Sequence, residues 1–360
     1  MTYFVIGLMS GSSLDGLDIV YSTITYATGK WEYEIRHTAC IPYTMAWKEK
    51  LKSANQLSVP DFLHLDTAFG RYCGEQVNLF IEENDLKHKI HFIASHGHTV
   101  WHEPAQRTSS QIGNGAAIAA ITGYTTIADL RAMDVALGGQ GAPIVPIADK
   151  LLFADYDFCL NIGGIANITI NEAAPKAFDI CPANQMLNFF AEKKGISFDD
   201  HGDLAASGNI NEAIFKTINE HIFYQQAAPK SLSNDFSITE IIPLLSVETE
   251  ENALSTAVSH IAFQIVKAIA PFCKEKTDYK MLITGGGALN HYLIQQIEEE
   301  LKKLALPVTC VLPEQNLVYY KEALAIALIG VLRWREEENV FASVTGATRN
   351  SVGGALWLGA

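Results

Sequence analysis

Basic residues are scarce in this chain: 26 Lys and Arg stand against 40 Asp and Glu, a formal net charge of -14. With no run of five like charges, that balance excludes the clustered basic face on which nucleic-acid binding depends. It also means that any bound phosphate has to be held by backbone amides, a helix end or a cation, so a phosphate site here should be rich in glycine rather than lysine. Cysteine is equally sparse. Cys40, Cys73, Cys159, Cys181, Cys273 and Cys310 lie far apart and include no CxxC pair, which excludes a disulfide framework or zinc knuckle and leaves reduced core thiols. The run Met1 to Met9 has no basic flank and is followed by Asp15 and Asp18, so it reads as a first strand and not as a signal peptide. Long apolar runs are missing too, the longest being broken by Gly, Asn, Asp or His, so no membrane partner is expected and the protein should be soluble and cytoplasmic.

What is present is the composition of a compact fold, 48% hydrophobic and 18% charged. A length of 360 residues exceeds what one core usually reaches, so two domains are expected, residues 1–137 and 138–360. Strand patterns at about Tyr3 to Met9, Leu17 to Tyr26 and Trp31 to Ala39 read as an antiparallel meander that gives way to alternating helices and strands, with a buried strand at Ile90 to Ser95. After Gly138-Gly139-Gln140-Gly141-Ala142-Pro143, read as a hinge, the plan starts again. Strands at Phe158 to Ile162, Ile165 to Ile170 and Lys176 to Ile180 precede a helix opened by Pro182. A long helix (Ala253 to Phe272), a strand (Lys280 to Thr284) and further alternating elements imply parallel strands with crossover helices.

Five groups of residues carry chemistry. The segment Gly7 to Asp18 places Gly11, Ser12, Ser13, Leu14, Asp15, Gly16, Leu17 and Asp18 at a strand-to-strand turn, where glycine amides and hydroxyls could grip phosphate and carboxylates could hold Mg²⁺; an ordinary turn has the same composition. Gly285-Gly286-Gly287 follows a strand at the place where α/β proteins bring backbone to a ligand. Asp179, at a strand end before a helix, suits a general base or a capping residue. His96 and His98, with His102, could share a metal or line a polar site, while Arg131, Asp134 and Glu322 suit a carboxylate, sugar hydroxyls or plain surface ion pairs.

Together these segments resemble the anhydro-N-acetylmuramic acid kinase family of the sugar kinase, Hsp70 and actin superfamily. The family's GxMSGTSLDGxD stands here as Gly7 to Asp18, and Ser95 to Pro104, Ala128 to Asp134, Gly138 to Pro143, Asn161 to Asn167, Gly285 to Gly287 and Val344 to Ala347 follow in order. The resemblance implies an α/β fold of two duplicated mixed-sheet domains of the actin/hexokinase/Hsp70 (ribonuclease H-like) type with a central cleft. It implies an ATP- and Mg²⁺-dependent phosphorylation of 1,6-anhydro-N-acetylmuramic acid coupled to hydrolytic ring opening, in recycling of the bacterial cell wall. Asp179 matches the catalytic base. The Gly11 to Asp18 hairpin, Gly163, Gly164 and the Gly285–Gly287 adenosine loop match ATP contacts; His98, Arg131, Asp134 and Glu322 match sugar contacts. The implied partners are ATP and an amino sugar, with a homodimer admitted. The family's DTGPGN reads here Asp179-Ile180-Cys181-Pro182-Ala183-Asn184, and its usual Gln stands as His98. Two rival readings are a non-catalytic nucleotide-binding relative and a metal-dependent hydrolase using His96 and His98.

Overall fold

The structure, a computed structural model, describes every residue except Ser12, Pro229, Asn234 and Ala360. Along the chain run β1 (Thr2–Ser10), β2 (Gly16–Ala27), β3 (Lys30–Pro42), α1 (Met45–Lys52), α2 (Val59–Glu83), β4 (Phe92–Glu103) and β5 (Thr108–Ile112). Next come α3 (Gly115–Thr122), β6 (Thr126–Ala128), α4 (Ala132–Ala136), α5 (Pro146–Leu152), β7 (Phe158–Ile162), β8 (Ile165–Ile170) and β9 (Lys176–Pro182). Helices α6 (Asn184–Lys193), α7 (Asp203–Ser207), α8 (Glu212–Asn219), α9 (Ile242–Leu245) and α10 (Glu250–Ile269) lead to β10 (Tyr279–Thr284) and α11 (His291–Lys303). The chain ends with β11 (Val308–Val311), α12 (Gln315–Trp334), α13 (Ala342–Thr345) and β12 (Ala355–Trp357). Two compact units result, one of Met1–Phe153 with Tyr320–Ala360, the other of Ala154–Tyr319. The chain therefore passes between units at 153/154, later than the expected 137/138, and returns to the first unit at Tyr320.

The first unit is built on a sheet of order β12-β6-β4-β1-β2-β3, with β5 paired to the far end of β4. Side chains alternate across it, as the pleat requires. Ile6, Leu8, Ile19 and Ile93 pack on one side with Phe69, Cys73, Val77 and Phe80 of α2. Tyr3, Val5, Phe92 and Ala94 pack on the other with Ala325 to Leu332 of α12. Helix α2 starts where Ser58 caps the Asp61 amide and a proline occupies the first turn. Helix α12 lies so close to β1 that a Cβ on Gly7 would stand 2.0 Å from the carbonyl oxygen of Ala323. That approach fixes the middle of α12, and with it Glu322, against the middle of β1.

The second unit repeats the plan. Its sheet has order β11-β10-β7-β8-β9, with β7, β8 and β9 an antiparallel meander and β10 and β11 parallel to β7. Leaving out β5, which only extends the pairing of β4, the third, second, first, fourth and next strands of each repeat lie in that spatial order, which makes the architecture a duplicated mixed α/β fold of the actin/hexokinase/Hsp70 type. Helix α10 is capped by Thr249 and packs within the core with Met186, Leu187, Ile218 and Ile283. Contrary to the sequence expectation, this one segment, Glu250–Phe272, is long and apolar enough to cross a membrane, but 78% of its apolar window is buried inside the protein, so its hydrophobicity is that of a core helix.

Candidate active site

Strand β1 delivers the chain into residues 11–15, and Gly16 begins β2. Leu14 donates its N–H to the Gly11 carbonyl at 3.3 Å, and Tyr43 N–H bonds the Asp15 carbonyl at 3.2 Å, so the turn is tied to itself and to the end of β3. Ser13 and Asp15 are exposed, whereas Leu17 is a core residue whose side chain packs behind the turn. The Ser12 assignment lies outside the described residues. Beneath the turn, Tyr43 donates to Ser10 Oγ at 2.7 Å and Ser10 Oγ meets His98 Nδ1 at 3.0 Å, all three side chains being buried. Because Ser10 Oγ accepts from Tyr43, its own O–H is free to donate to His98 Nδ1. Burial pulls the His98 imidazole below its ordinary range, so it is neutral.

Sequence reading ended the buried strand at Ser95. In the structure β4 runs on through His96, His98 and His102 to Glu103 by pairing with β5, and Gly97 (φ 72) makes an irregularity between the two histidines. His96 is not poised for a metal. Its Nδ1–H reaches the Gly97 carbonyl at 2.9 Å and its Nε2 accepts from Arg131 Nε at 2.9 Å, and burial, reinforced by the guanidinium, lowers its pKa to about 3. Among the described residues no three metal-ligating side chains come together.

Arg131 also donates Nη1 to the Gly141 carbonyl at 2.7 Å. Gly141 N–H and Thr345 Oγ1 each donate to one oxygen of Asp134 at 2.7 Å, and the Gln140 amide bonds the Thr345 carbonyl at 2.8 Å. Asp134 is fully buried with both oxygens engaged, so it braces the segment 138–143 rather than facing a ligand. That segment, expected to be a hinge, is pinned inside the first unit. Burial lowers Arg131 to about 10, opposed by Glu322 and Asp134, and it stays charged at neutral pH. Glu322 is pushed up by burial and pulled down by Lys321 and Arg131. Asp18 rises to about 6, mainly through burial, with a Cys40 hydrogen bond lowering it and Glu322 and Asp15 raising it. Charge coupling thus links Asp18 to Glu322, Glu322 to Arg131 and Arg131 to Asp134.

In the second unit Asp179 stands on β9 opposite Asn167. Its N–H bonds the Lys230 carbonyl at 3.0 Å, and its Oδ2 accepts from Leu232 N–H at 2.9 Å and Ser231 Oγ at 3.2 Å. Burial raises its pKa and these two bonds oppose the rise. Pro182 does not open a helix: it ends β9 at the sheet edge, where a residue without an N–H is tolerated, and α6 begins at Asn184. The amides of Ala183, Asn184 and Gln185 bond the carbonyls of Gly164, Gly163 and Gly164 at 2.8, 3.0 and 3.2 Å, so the start of α6 is satisfied within the protein. Ile180, Cys181 and Ala183, where the motif departs from the family pattern, are all buried, so the departures alter packing. After β10, Gly285 has φ 80, and a Cβ there would lie 2.7 Å from both Asn161 Oδ1 and the Ile162 carbonyl oxygen. Gly287 is packed against Ile162, while a Cβ on Gly286 would meet Asn184 Nδ2 only at 3.5 Å. Two of the three glycines are thus required by the fold and one presents open backbone.

The duplicated α/β plan thus holds glycine turns after the first strand of each repeat, a carboxylate fixed on a third strand, and the electrostatically coupled Arg131, Glu322 and Asp134. The family model described as "Anhydro-N-acetylmuramic acid kinase" matches residues 3–359. Curated proteins of that name are similar along nearly their whole length: one from Sulfurimonas denitrificans at 30% identity, covering 99% of this chain and 100% of that one, and one from Haemophilus influenzae at 32%, covering 96% and 95%. A third, from Shewanella amazonensis, is 33% identical over 97% of each. A ROK family glucokinase from Streptomyces griseus, solved with glucose and AMPPNP, is similar at 8% identity and a TM-score of 0.42, over 91% of this chain and 98% of that one. The chain belongs to the anhydro-N-acetylmuramic acid kinase family.

Ser10, Tyr43, Thr345, Asn167, Ser231 and Leu232 were not singled out by sequence reasoning. Thr345 lay within a quoted motif, but its partner Asp134 is 211 residues away. Ser231 and Leu232 lie in a segment without periodicity and gave no signal.

Proposed function

We propose that this chain transfers the γ-phosphoryl group of ATP to the 6-oxygen of 1,6-anhydro-N-acetylmuramic acid while water opens the anhydro bridge. Asp179 accepts a proton from water, the water oxygen bonds to the anomeric carbon, and the bond from that carbon to the bridging oxygen breaks. The freed oxygen takes the phosphoryl group and ADP leaves, giving N-acetylmuramic acid 6-phosphate. The observation that carries this reading is the half-buried Asp179 carboxylate, raised by burial and with one oxygen fixed by two donors. A base held nearer neutrality is the better proton acceptor.

Residues of the first hairpin would take the phosphates, through the amides and hydroxyls of Gly11 to Leu14 and of Gly16. Gly163, Gly164 and Gly285 to Gly287 would lie with the rest of the nucleotide. Mg²⁺ is usually held by one or two carboxylates together with water and substrate phosphates. The exposed Asp15 and half-buried Asp18 fit that requirement. When bound there, the ion would neutralise phosphate charge. Arg131, oriented by His96 and by the Asp134-braced segment, suits the lactyl carboxylate, and His98 and Glu322 suit sugar hydroxyls or the acetamido group. The role of Asp134 in this scheme is to position Arg131. The setting that follows is cell-wall recycling in a bacterial cytoplasm, with small molecules as partners rather than nucleic acid or membrane, and with a homodimer compatible.

Running the reaction in ¹⁸O-labelled water tests the ring opening. The expected result, with analysis before the reducing end exchanges, is label on the anomeric carbon and none in the phosphate ester. Product lacking anomeric label would overturn hydrolytic opening even where ATP is consumed.

A further inference from the structure

Among the described residues Asp179 takes both of its side-chain hydrogen bonds on the same oxygen: Ser231 Oγ at 3.2 Å and Leu232 N–H at 2.9 Å both donate to Oδ2. Among the described residues, Oδ1 accepts no hydrogen bond. The donors belong to a short segment, residues 230–232, that also takes the Asp179 N–H on the Lys230 carbonyl at 3.0 Å, so it grips the residue by backbone and side chain together. Neither Ser231 nor Leu232 belongs to any segment that marks the family. We infer that residues 230–232 are the positioning device of the base: the Ser231 hydroxyl and Leu232 amide fix Oδ2 and thereby reserve Oδ1 as the oxygen that takes the water proton. This rests on the reading of Asp179 as the base.

The segment is itself anchored. Lys230 Nζ donates to the Phe223 carbonyl at 3.1 Å and lies over the rings of Phe223 and Tyr224, at 4.3 and 5.7 Å from their centroids. Tyr224 OH meets His260 Nε2 at 3.0 Å, and His260 Nδ1 reaches Asn219 Oδ1 at 2.8 Å, where Gln264 also donates at 2.7 Å. His260 and Gln264 are buried in α10. The grip on Asp179 is thus tied to the core of its unit, which is what holding a catalytic group in one orientation needs. Cys181 on β9 is the ionisable group coupled to Asp179; it is also coupled to Lys230, which in turn is coupled to Lys267 of α10, and neutral His260 lies behind Tyr224, while β8 presents the uncharged Asn167.

Ser231 is exposed, so replacing it leaves the fold intact. Removing a donor to a carboxylate favours its protonated form, so Asp179 should lose its proton at higher pH. With wild type, Ser231→Ala, Ser231→Thr and Asp179→Asn assayed for kcat and KM from pH 5 to 9, Ser231→Ala should move the acid limb of kcat/KM up by about one pH unit. It should also lower kcat several-fold with ATP KM unchanged, and Ser231→Thr should restore both. An acid limb in the wild-type position for Ser231→Ala, whether kcat is unchanged or merely reduced at every pH, would overturn the inference while leaving Asp179 as the base if Asp179→Asn lacks turnover. Near-normal turnover of Asp179→Asn would overturn the reading of the base itself, and the inference with it.

Discussion

Replacing Asp134 by Asn is a test of how the sugar-side arginine is held. The side chain is fully buried, and its two oxygens accept from Gly141 N–H and Thr345 Oγ1 at 2.7 Å each. Asparagine keeps the shape but turns one acceptor into an NH₂ donor. The better placement sets the amide oxygen toward Gly141, because the Thr345 hydroxyl has a second acceptor, the Phe341 carbonyl at 3.3 Å. One charge-assisted bond is then lost, a cost of about 1.5–3 kcal/mol. For a body of this size that corresponds to a melting midpoint lower by about 4–10 °C. Arg131 loses both the nearby negative charge and the firmness of its Gly141 anchor, so KM for the sugar should rise about tenfold while KM for ATP stays put. Thermal unfolding and steady-state kinetics read the two effects separately. Thr345→Val should cost about as much and be non-additive with Asp134→Asn, since both remove the same bond. A midpoint within about 1 °C of wild type together with an unchanged sugar KM would refute the bracing argument.

Three further outcomes are expected. Gly285→Ala should lower stability by about 1–3 kcal/mol, because φ 80 and the 2.7 Å approach to Asn161 and Ile162 exclude a methyl group; Gly286→Ala should leave the melt unchanged but raise ATP KM, and an ATP KM at the wild-type value would remove Gly286 from the nucleotide contact. His260→Gln should change how stability follows pH. His260 is buried with its pKa lowered to about 3, so below pH 6.5 the unfolded chain takes a proton that the folded chain refuses, and wild type loses stability relative to the variant by at most about 1.4 kcal/mol per pH unit down to about pH 3, with none of this difference arising above 6.5. Urea unfolding of both proteins at pH 7.5, 6 and 5 decides it, parallel behaviour being the contrary result.

The strands that carry the repeats were legible because their branched and aromatic residues alternate and their turns are punctuated by glycine. Where reading stopped short, tertiary pairing made the difference. The continuation of β4 past Ser95 has a partner in Thr108 to Ile112, a polar stretch that becomes a strand only by pairing with β4. Pro182 was read as a first helical residue, yet at the sheet edge its missing N–H costs the ladder nothing. The candidate glycines and Asp179 stand out in the sequence by type and place, although β9 carries on past Asp179 to Pro182. The bracing of Asp134 by Thr345 and the grip of Ser231 on Asp179 span distances in sequence that no local pattern encodes.

The duplicated plan sets the same topological slot, the turn from first to second strand, to different work in each unit. In the second unit the turn is only Gly163 and Gly164, and their carbonyls are spent on the amides that open α6. A turn so occupied can shape a site but has no carbonyl left unengaged there, and the amides it satisfies are withdrawn from any phosphate. In the first unit the turn spans residues 11–15, followed by no helix whose amides must be satisfied, and its exposed Ser13 and Asp15 point to ligand chemistry rather than scaffolding. One slot is thus filled with two glycines whose carbonyls hold the start of α6 in one repeat, and with a longer turn exposing Ser13 and Asp15 in the other. On the proposed reading the phosphates would rely chiefly on the first unit's hairpin, which the sequence keeps nearly intact, so the altered, wholly buried Ile180 to Ala183 segment is compatible with kinase chemistry.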